Sequence, residues 1–121
     1  MKIGIPAMGD SGLNEKVSNH FGRAPVFLIV DSESGEFRSV TNVKKSNKNM
    51  QPPEQLAKEG IQAMICSDLG PRAIQMFEDL GIEVFVGAQG SVKESIEKWK
   101  SGELKEATDK DACEEHKREF P

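Results

Sequence analysis

The sequence predicts a single α/β domain built on a mixed β-sheet with helices on its faces. Its 121 residues, 36% of them hydrophobic, suffice for one core, and domains of about 100–150 residues are the commonest size. Short apolar runs and helical patterns follow one another in the order strand, strand, strand, helix, strand, helix, strand, helix. A hairpin followed by two strand–helix–strand crossovers gives a mixed sheet that is covered by helices.

The first three predicted strands form one half of this sheet. Residues 2–6 are mostly apolar and end at Pro6, which is typical of a strand that runs into a loop. Residues 26–31 are apolar at successive positions, which indicates a strand covered on both faces. A turn at 32–35 joins it to a third strand at 36–43, so the sequence predicts a hairpin.

Proline and glycine mark the ends of the later elements. Proline suits the first turn of a helix, and glycine suits the position just past its end. Ser91 and Glu94 have the spacing of a capping box, in which each residue's side chain accepts the other's backbone N–H. In chain order the predicted elements are a helix from Pro52 to Gly60, a strand at 61–66, a helix from Pro71 to Gly81, a strand at 82–86 and a helix from Ser91 to Gly102.

The end of the chain differs in composition from the rest. From residue 103 onward Glu, Lys and Asp dominate, and Leu104 and Phe120 are the large apolar residues. Such a segment buries little surface. The sequence therefore predicts a domain at 1–105 and a charged C-terminal tail at 106–121.

Charge and cysteine content limit the function classes. A formal net charge of −4 argues against a nucleic-acid binder, for which a basic footprint is expected. The two cysteines are too few for a secreted disulfide framework, and the sequence has neither a signal-peptide core nor a long apolar run. We expect a cytoplasmic monomer that binds neither nucleic acid nor membranes.

The connection between the first two strands is the candidate site. It spans about residues 7–24, and connections longer than about 12–15 residues are usually functional or disordered. His20, Gly22 and Arg23 lie together near its end and supply an imidazole, a backbone free of side-chain bulk and a guanidinium. The residue types alone leave open a structural alternative, in which His20 bonds within the loop, Arg23 is solvated and Gly22 serves a turn.

Four motifs in order resemble the dinitrogenase iron–molybdenum cofactor biosynthesis family over residues 1–105. The motifs are Met1–Pro6, Ser18-x-His20-Phe21-Gly22-Arg23-Ala24-Pro25-x-Phe27, Leu69–Ala73 and Gly90–Glu94. The resemblance implies a three-layer, ribonuclease H-like domain with helices on both faces of a mixed five-stranded sheet. It also implies the strand order 3-2-1-4-5 with strand 2 antiparallel, and a role in carrying or inserting iron–sulfur or iron–molybdenum clusters. Lys44–Met50 departs from the glycine-rich segment that relatives often have.

The implied strand order brings several loops to one edge of the sheet, where ligands of open α/β sheets bind. Helix N-termini at this edge would favour an anion together with the arginine and lysines. The expected cofactor-binding residues are Gly9, Gly12, His20, Phe21, Gly22, Arg23 and Gly70, with Lys44, Lys45 and Lys48 nearby.

Few residues are candidates for direct metal ligation. His20 is the first, and the thioethers of Met8 and Met50 could add soft contacts. Cys113 and His116 have a metal-like spacing, but one pair supplies two of the four ligands of a structural zinc site. Cys66 ends an apolar strand, so we interpret it as a core residue.

These observations favour a non-catalytic carrier of an iron–sulfur or iron–molybdenum type cluster. Because cysteine is scarce, the cluster would be bound transiently and passed between this protein and a cluster-assembly or acceptor protein. The first strand lacks the carboxylates of a ribonuclease H-type nuclease, and the sequence contains no Gly-x-Ser-x-Gly motif, Walker loop or Gly-x-Gly-x-x-Gly motif. The alternatives are a small anionic metabolite-binding protein or enzyme that uses the same edge, and a protein-interaction module that uses the C-terminal segment.

Overall fold

The structure is a computed structural model that describes residues 1–43 and 50–107. These residues form a mixed sheet and three helices. The strands are β1 (Lys2–Ala7), β2 (Val26–Asp31), β3 (Phe37–Thr41), β4 (Ala63–Ile65), β5 (Glu83–Val86) and β6 (Lys105–Ala107). The helices are α1 (Pro52–Lys58), α2 (Pro71–Asp79) and α3 (Val92–Lys100), and there are 3-10 turns at Gly12–Asn14 and Phe21–Arg23.

The sheet has the order β3-β2-β1-β4-β5-β6. The order predicted for the first five strands is thus confirmed, with β2 antiparallel to both β1 and β3. The prediction of five strands is wrong, because β6 pairs antiparallel with β5 and places Ala107 opposite Val84. β6 also crosses the predicted boundary between residues 105 and 106, and residues 108–121 lie outside the described part of the chain.

β1 lies at the centre of the sheet, with antiparallel β2 on one side and parallel β4 on the other. Its residues from Ile3 to Ala7 are buried. Gly4 is needed there because an added Cβ would lie 2.9 Å from the Met64 sulfur and 3.0 Å from Cδ1 of Ile61. The approach of these two side chains explains the glycine inside an otherwise apolar strand.

Side chains of β2 alternate between two apolar cores, which makes the fold three-layered. Leu28 and Val30 pack in the core that includes Val92 and Ile96 of α3. Phe27 and Ile29 pack on the opposite face, in the core with residues of α1 and α2. The predicted burial of this strand on both faces is confirmed. Cys66 belongs to the second core and is fully buried, as predicted.

The start of α3 has the predicted capping box. The Ser91 hydroxyl oxygen accepts the Glu94 N–H at 3.1 Å, and the Glu94 carboxylate accepts the Ser91 N–H at 3.1 Å. Hydrogen bonding to Ser91, first to its backbone N–H and then to its side chain, lowers the pKa of the Glu94 carboxyl. Within residues 1–43 and 50–107, no helix has the length and apolar character needed to cross a membrane.

Candidate functional site

The loop before β2 ends in a single 3-10 turn at Phe21–Arg23 that is fixed to the core by one aromatic side chain. The Phe21 ring packs against Phe27 and Phe77, with ring centroids 5.3 and 5.5 Å apart. His20 and Arg23, on either side of this anchor, are exposed. The turn therefore partly buries an aromatic ring while it presents two polar side chains to solvent.

Ser18 holds the start of the turn. Its buried hydroxyl donates to the His20 carbonyl and accepts the His20 N–H, each at 3.2 Å, while the Ser18 N–H donates to the Pro6 carbonyl at 2.8 Å. The His20 imidazole makes no hydrogen bond to any residue in the described ranges. Because only the backbone of His20 shapes the loop, its side chain remains available to a ligand.

Asn42 holds the other end of the turn. Its side chain is buried, and its Nδ2 donates to the carbonyls of Gly22 at 3.2 Å and Ala24 at 2.9 Å. Sequence reasoning missed this residue, because an asparagine after a strand has no local signal for a contact 18–20 residues away.

The N-terminus of α2 faces this turn across an open cleft. Gly70 is the N-cap and provides no side-chain cap for the first-turn N–H groups of Arg72 and Ala73. Such N–H groups carry partial positive charge and favour an anion. Asp68, just before the helix, accepts the Leu69 N–H at 2.8 Å. Arg72, Ala73 and Asp68 were not among the predicted site residues, although the Leu69–Ala73 motif contributed to the family resemblance.

The cleft has a volume of about 850 Å³. It brings together five of the predicted cofactor-binding residues, from two separate segments of the chain. Its lining consists of Asn19, His20, Phe21, Gly22, Arg23, Gln51, Pro52, Pro53, Asp68, Leu69, Gly70, Arg72, Ala73 and Met76.

Gly9 and Gly12 are not in this lining, contrary to the expected gathering at the sheet edge. Leu13 and Val17 pack on the core beneath α3, so their loop lies on that face of the sheet. Gly12 has a left-handed φ of 73°, and an added Cβ would lie 2.8 Å from the Phe37 ring. Glycine at this position therefore allows the loop to pack closely against Phe37.

Several other candidates do not contribute to the cleft lining or cannot be placed. Neither Met8 nor Met50 lines it. The residues predicted as nearby cations and as a weak metal pair lie outside the described part of the chain; these are Lys44, Lys45, Lys48, Cys113 and His116.

Gly22 and Gly70 line the cleft although the backbone does not require glycine at either position. Neither has a left-handed φ, and no heavy atom lies within 4 Å of a Cβ added to either residue. What these glycines provide is space, because any side chain there would occupy the open volume beside the cleft walls.

The cleft combines an exposed positive rim with a partly buried apolar floor. Arg23 and Arg72, both exposed, contribute two positive charges against the single carboxylate of Asp68, while Phe21 and Met76 in the lining are partly buried. Within residues 1–43 and 50–107, no three His, Cys, Asp or Glu residues are close enough to hold a metal ion. The arrangement is suited to an anion with a polarisable or apolar surface, held mainly by charge and N–H groups.

Comparison with known proteins defines the class. The family model for dinitrogenase iron–molybdenum cofactor proteins matches residues 1–102, so the chain belongs to this family. An uncharacterised protein of Methanocaldococcus jannaschii is 31% identical over 110 residues, which is 86% of this chain and 89% of that relative.

Two solved structures share the fold over most of their length. The apo form of the orange protein from Desulfovibrio gigas is similar at a TM-score of 0.78 and 28% identity, covering 88% of this chain and 92% of that one. A NifB-like protein from Thermotoga has a TM-score of 0.73 and 31% identity, covering 87% and 91%.

Proposed function

We propose that this protein is a non-catalytic carrier that binds an iron–sulfur or iron–molybdenum type cluster transiently in the cleft between the His20 turn and α2. The observation that carries the proposal is that one cleft is lined by Arg23, Arg72, the exposed His20 and the N-terminus of α2, together with apolar residues. Membership of the dinitrogenase cofactor family and likeness to the orange protein support a cofactor-associated role. We also assign the fold to the ribonuclease H-like type as part of this proposal.

The cleft residues have separate roles in this scheme. Arg23 and Arg72 neutralise the negative charge of the cluster, and the first-turn N–H groups of α2 donate to its sulfide ligands. His20 supplies one coordination bond when its imidazole is neutral. Phe21 and Met76 contact the polarisable surface of the cluster and limit access of water.

Cys66 is not a ligand in this scheme. Burial raises the pKa of its thiol, and the Asp68 carboxylate raises it further, so the reactive thiolate is not formed. A cluster bound by one imidazole, charges and N–H groups exchanges more easily than one bound by several thiolates. This is what transfer to an acceptor or assembly protein requires.

Anaerobic titration with a synthetic cubane iron–sulfur cluster that carries labile thiolate ligands tests the proposal. We expect Arg23→Ala and Arg72→Ala each to weaken binding by about 10–100-fold, the value of one charge-assisted contact. Arg38→Ala is the matched control, because Arg38 pairs with Glu59 and does not line the cleft. Absence of binding in the wild type, or equal losses in the three variants, would refute the proposal.

The salt dependence of binding separates the role of His20 from that of Arg23. A coordinating imidazole is neutral, whereas guanidinium is a cation. We therefore expect His20→Ala to weaken binding without a change in its salt sensitivity. Arg23→Ala should weaken binding and reduce its salt sensitivity. Wild-type affinity in His20→Ala would exclude coordination by His20.

A second candidate function is the binding of a small anionic metabolite without metal. The uncapped N-terminus of α2 beside Arg72 favours it, since phosphate binds readily at such sites. Thermal-shift measurements with inorganic phosphate and nucleotides provide the test, because a ligand at a hundredfold excess over Kd stabilises the fold by about 2.7 kcal/mol. Stabilisation by a metabolite together with no cluster binding would replace the first candidate.

A further inference from the structure

The turn that carries His20 and Arg23 has little intrinsic stability. Its backbone bonds are Arg23 N–H to the His20 carbonyl at 3.0 Å and Ala24 N–H to the Phe21 carbonyl at 3.3 Å. A single 3-10 turn does not persist alone in water. Its conformation must therefore depend on groups outside the turn.

Asn42, which lies outside the turn, binds two of its carbonyls. Its Nδ2 donates to the carbonyls of Gly22 and Ala24, on either side of Arg23, and its own N–H donates to the Pro25 carbonyl at 3.1 Å. Only 2% of Asn42 is exposed, so water does not compete for these bonds.

The strand end next to Asn42 also holds α1, which contributes to another wall of the cleft. The Gln55 amide oxygen accepts the Val43 N–H at 2.9 Å, and its Nε2 donates to the Thr41 carbonyl at 2.7 Å. Gln55 belongs to α1, whose first residues Pro52 and Pro53 line the cleft. The end of β3 is thus bonded both to the turn and to α1.

We propose that Asn42 is the positioning residue of the cleft, which fixes the His20–Arg23 turn relative to α1 before the ligand arrives. The inference rests on the proposed ligand site. Asn42 has no contact with the ligand in this scheme; it acts through the backbone of the turn. A turn that is ordered in advance does not lose its conformational freedom on binding, and affinity rises accordingly.

Two measurements on Asn42→Ala test the proposal. The first is hydrogen exchange of the Arg23 and Ala24 amides, which should become at least about tenfold faster. The Ile5 amide in β1 is the internal reference, and its exchange should change only as much as the global stability of the variant changes. The second is titration with the cubane iron–sulfur cluster, in which affinity should fall about tenfold through loss of the two amide hydrogen bonds. The hydroxyl of Asn42→Ser can donate one bond, so the exchange rates and affinity of this variant should lie between those of the wild type and Asn42→Ala. If Asn42→Ala does not fold, Asn42→Ser is compared with the wild type instead.

Val92→Ala is the control for loss of stability alone. Val92 is fully buried in the core on the other face of the sheet, so its truncation lowers the melting temperature without touching the turn. The positioning role is overturned, while the proposed function stands, if Asn42→Ala keeps the wild-type exchange rates at Arg23 and Ala24 or the wild-type affinity for the cluster. It is also overturned if Val92→Ala loses as much affinity as Asn42→Ala. If the wild type does not bind the cluster, the proposed function itself fails, and the role of Asn42 in binding fails with it.

Discussion

Replacing Gly22 with alanine should stabilise the fold and weaken ligand binding. Gly22 lies in the middle of the Phe21–Arg23 turn without a left-handed φ, and an added Cβ meets no heavy atom within 4 Å. Alanine restricts the unfolded chain, so we expect a gain of about 0.4–1 kcal/mol, or roughly 2–4 °C in melting temperature for a domain of this size. The new methyl group, however, stands beside the cleft that Gly22 lines.

Gly35→Ala provides a control with the opposite expectation for stability. A Cβ added to Gly35 also meets no heavy atom within 4 Å, but its φ is 79° and it lies in the β2–β3 turn, outside the cleft lining. A left-handed alanine costs about 1–2 kcal/mol, so this variant should melt several degrees lower and bind normally. Thermal melts and cluster titrations of both variants, with Gly22→Leu as a bulkier probe, complete the test. A lower melting temperature in Gly22→Ala, or wild-type affinity in Gly22→Leu, would refute the reasoning.

Three further predictions concern Phe21, the capping box of α3 and the C-terminal residues. Phe21→Ala should cost about 2–4 kcal/mol in unfolding free energy, somewhat below the value for a fully buried phenylalanine, and should abolish cluster binding; denaturant melts measure the first effect. Glu94 has a lowered pKa in the folded state, so it adds stability above its unfolded pKa of about 4.3, and this contribution disappears as pH falls through the folded value. The difference in melting temperature between wild type and Glu94→Gln should therefore shrink between about pH 7 and pH 3, and a constant difference would contradict this. Deleting residues 108–121, which belong to the predicted tail, should leave the melting temperature unchanged. Deleting residues 105–121 also removes β6 and should lower the melting temperature, because Ala107 is buried in the core that contains residues of α1 and α2.

Local sequence signals account for most of the fold. Continuous apolar residues predicted β1 and β2, and the proline and glycine at the ends of α2 predicted its limits, because these preferences act within a few residues. β6 has no such signal. Its three residues are Lys, Glu and Ala, and it is a strand because Ala107 and Lys105 pair with the edge of β5.

The candidate site was predictable where it lies within one motif and not where it is assembled from separate ones. His20, Phe21 and Arg23 are neighbours in the sequence, and the structure places them together in the cleft. Asn42 joins them through contacts that only the folded sheet creates. Gly9 was predicted from its position in the same loop, but the packing of Leu13 under α3 places that part of the loop on another face.

Mapping the cluster-binding surface by NMR tests the proposed site most directly. Isotope-labelled wild-type protein is titrated anaerobically with the cubane iron–sulfur cluster, and amide signals are followed for shifts and broadening. The scheme predicts that the affected amides are those of His20–Arg23 in the turn and of Gly70, Arg72 and Ala73 at the start of α2, which face each other across the cleft. Effects confined to α3 or β6, with the signals of the turn and α2 unchanged, would contradict it.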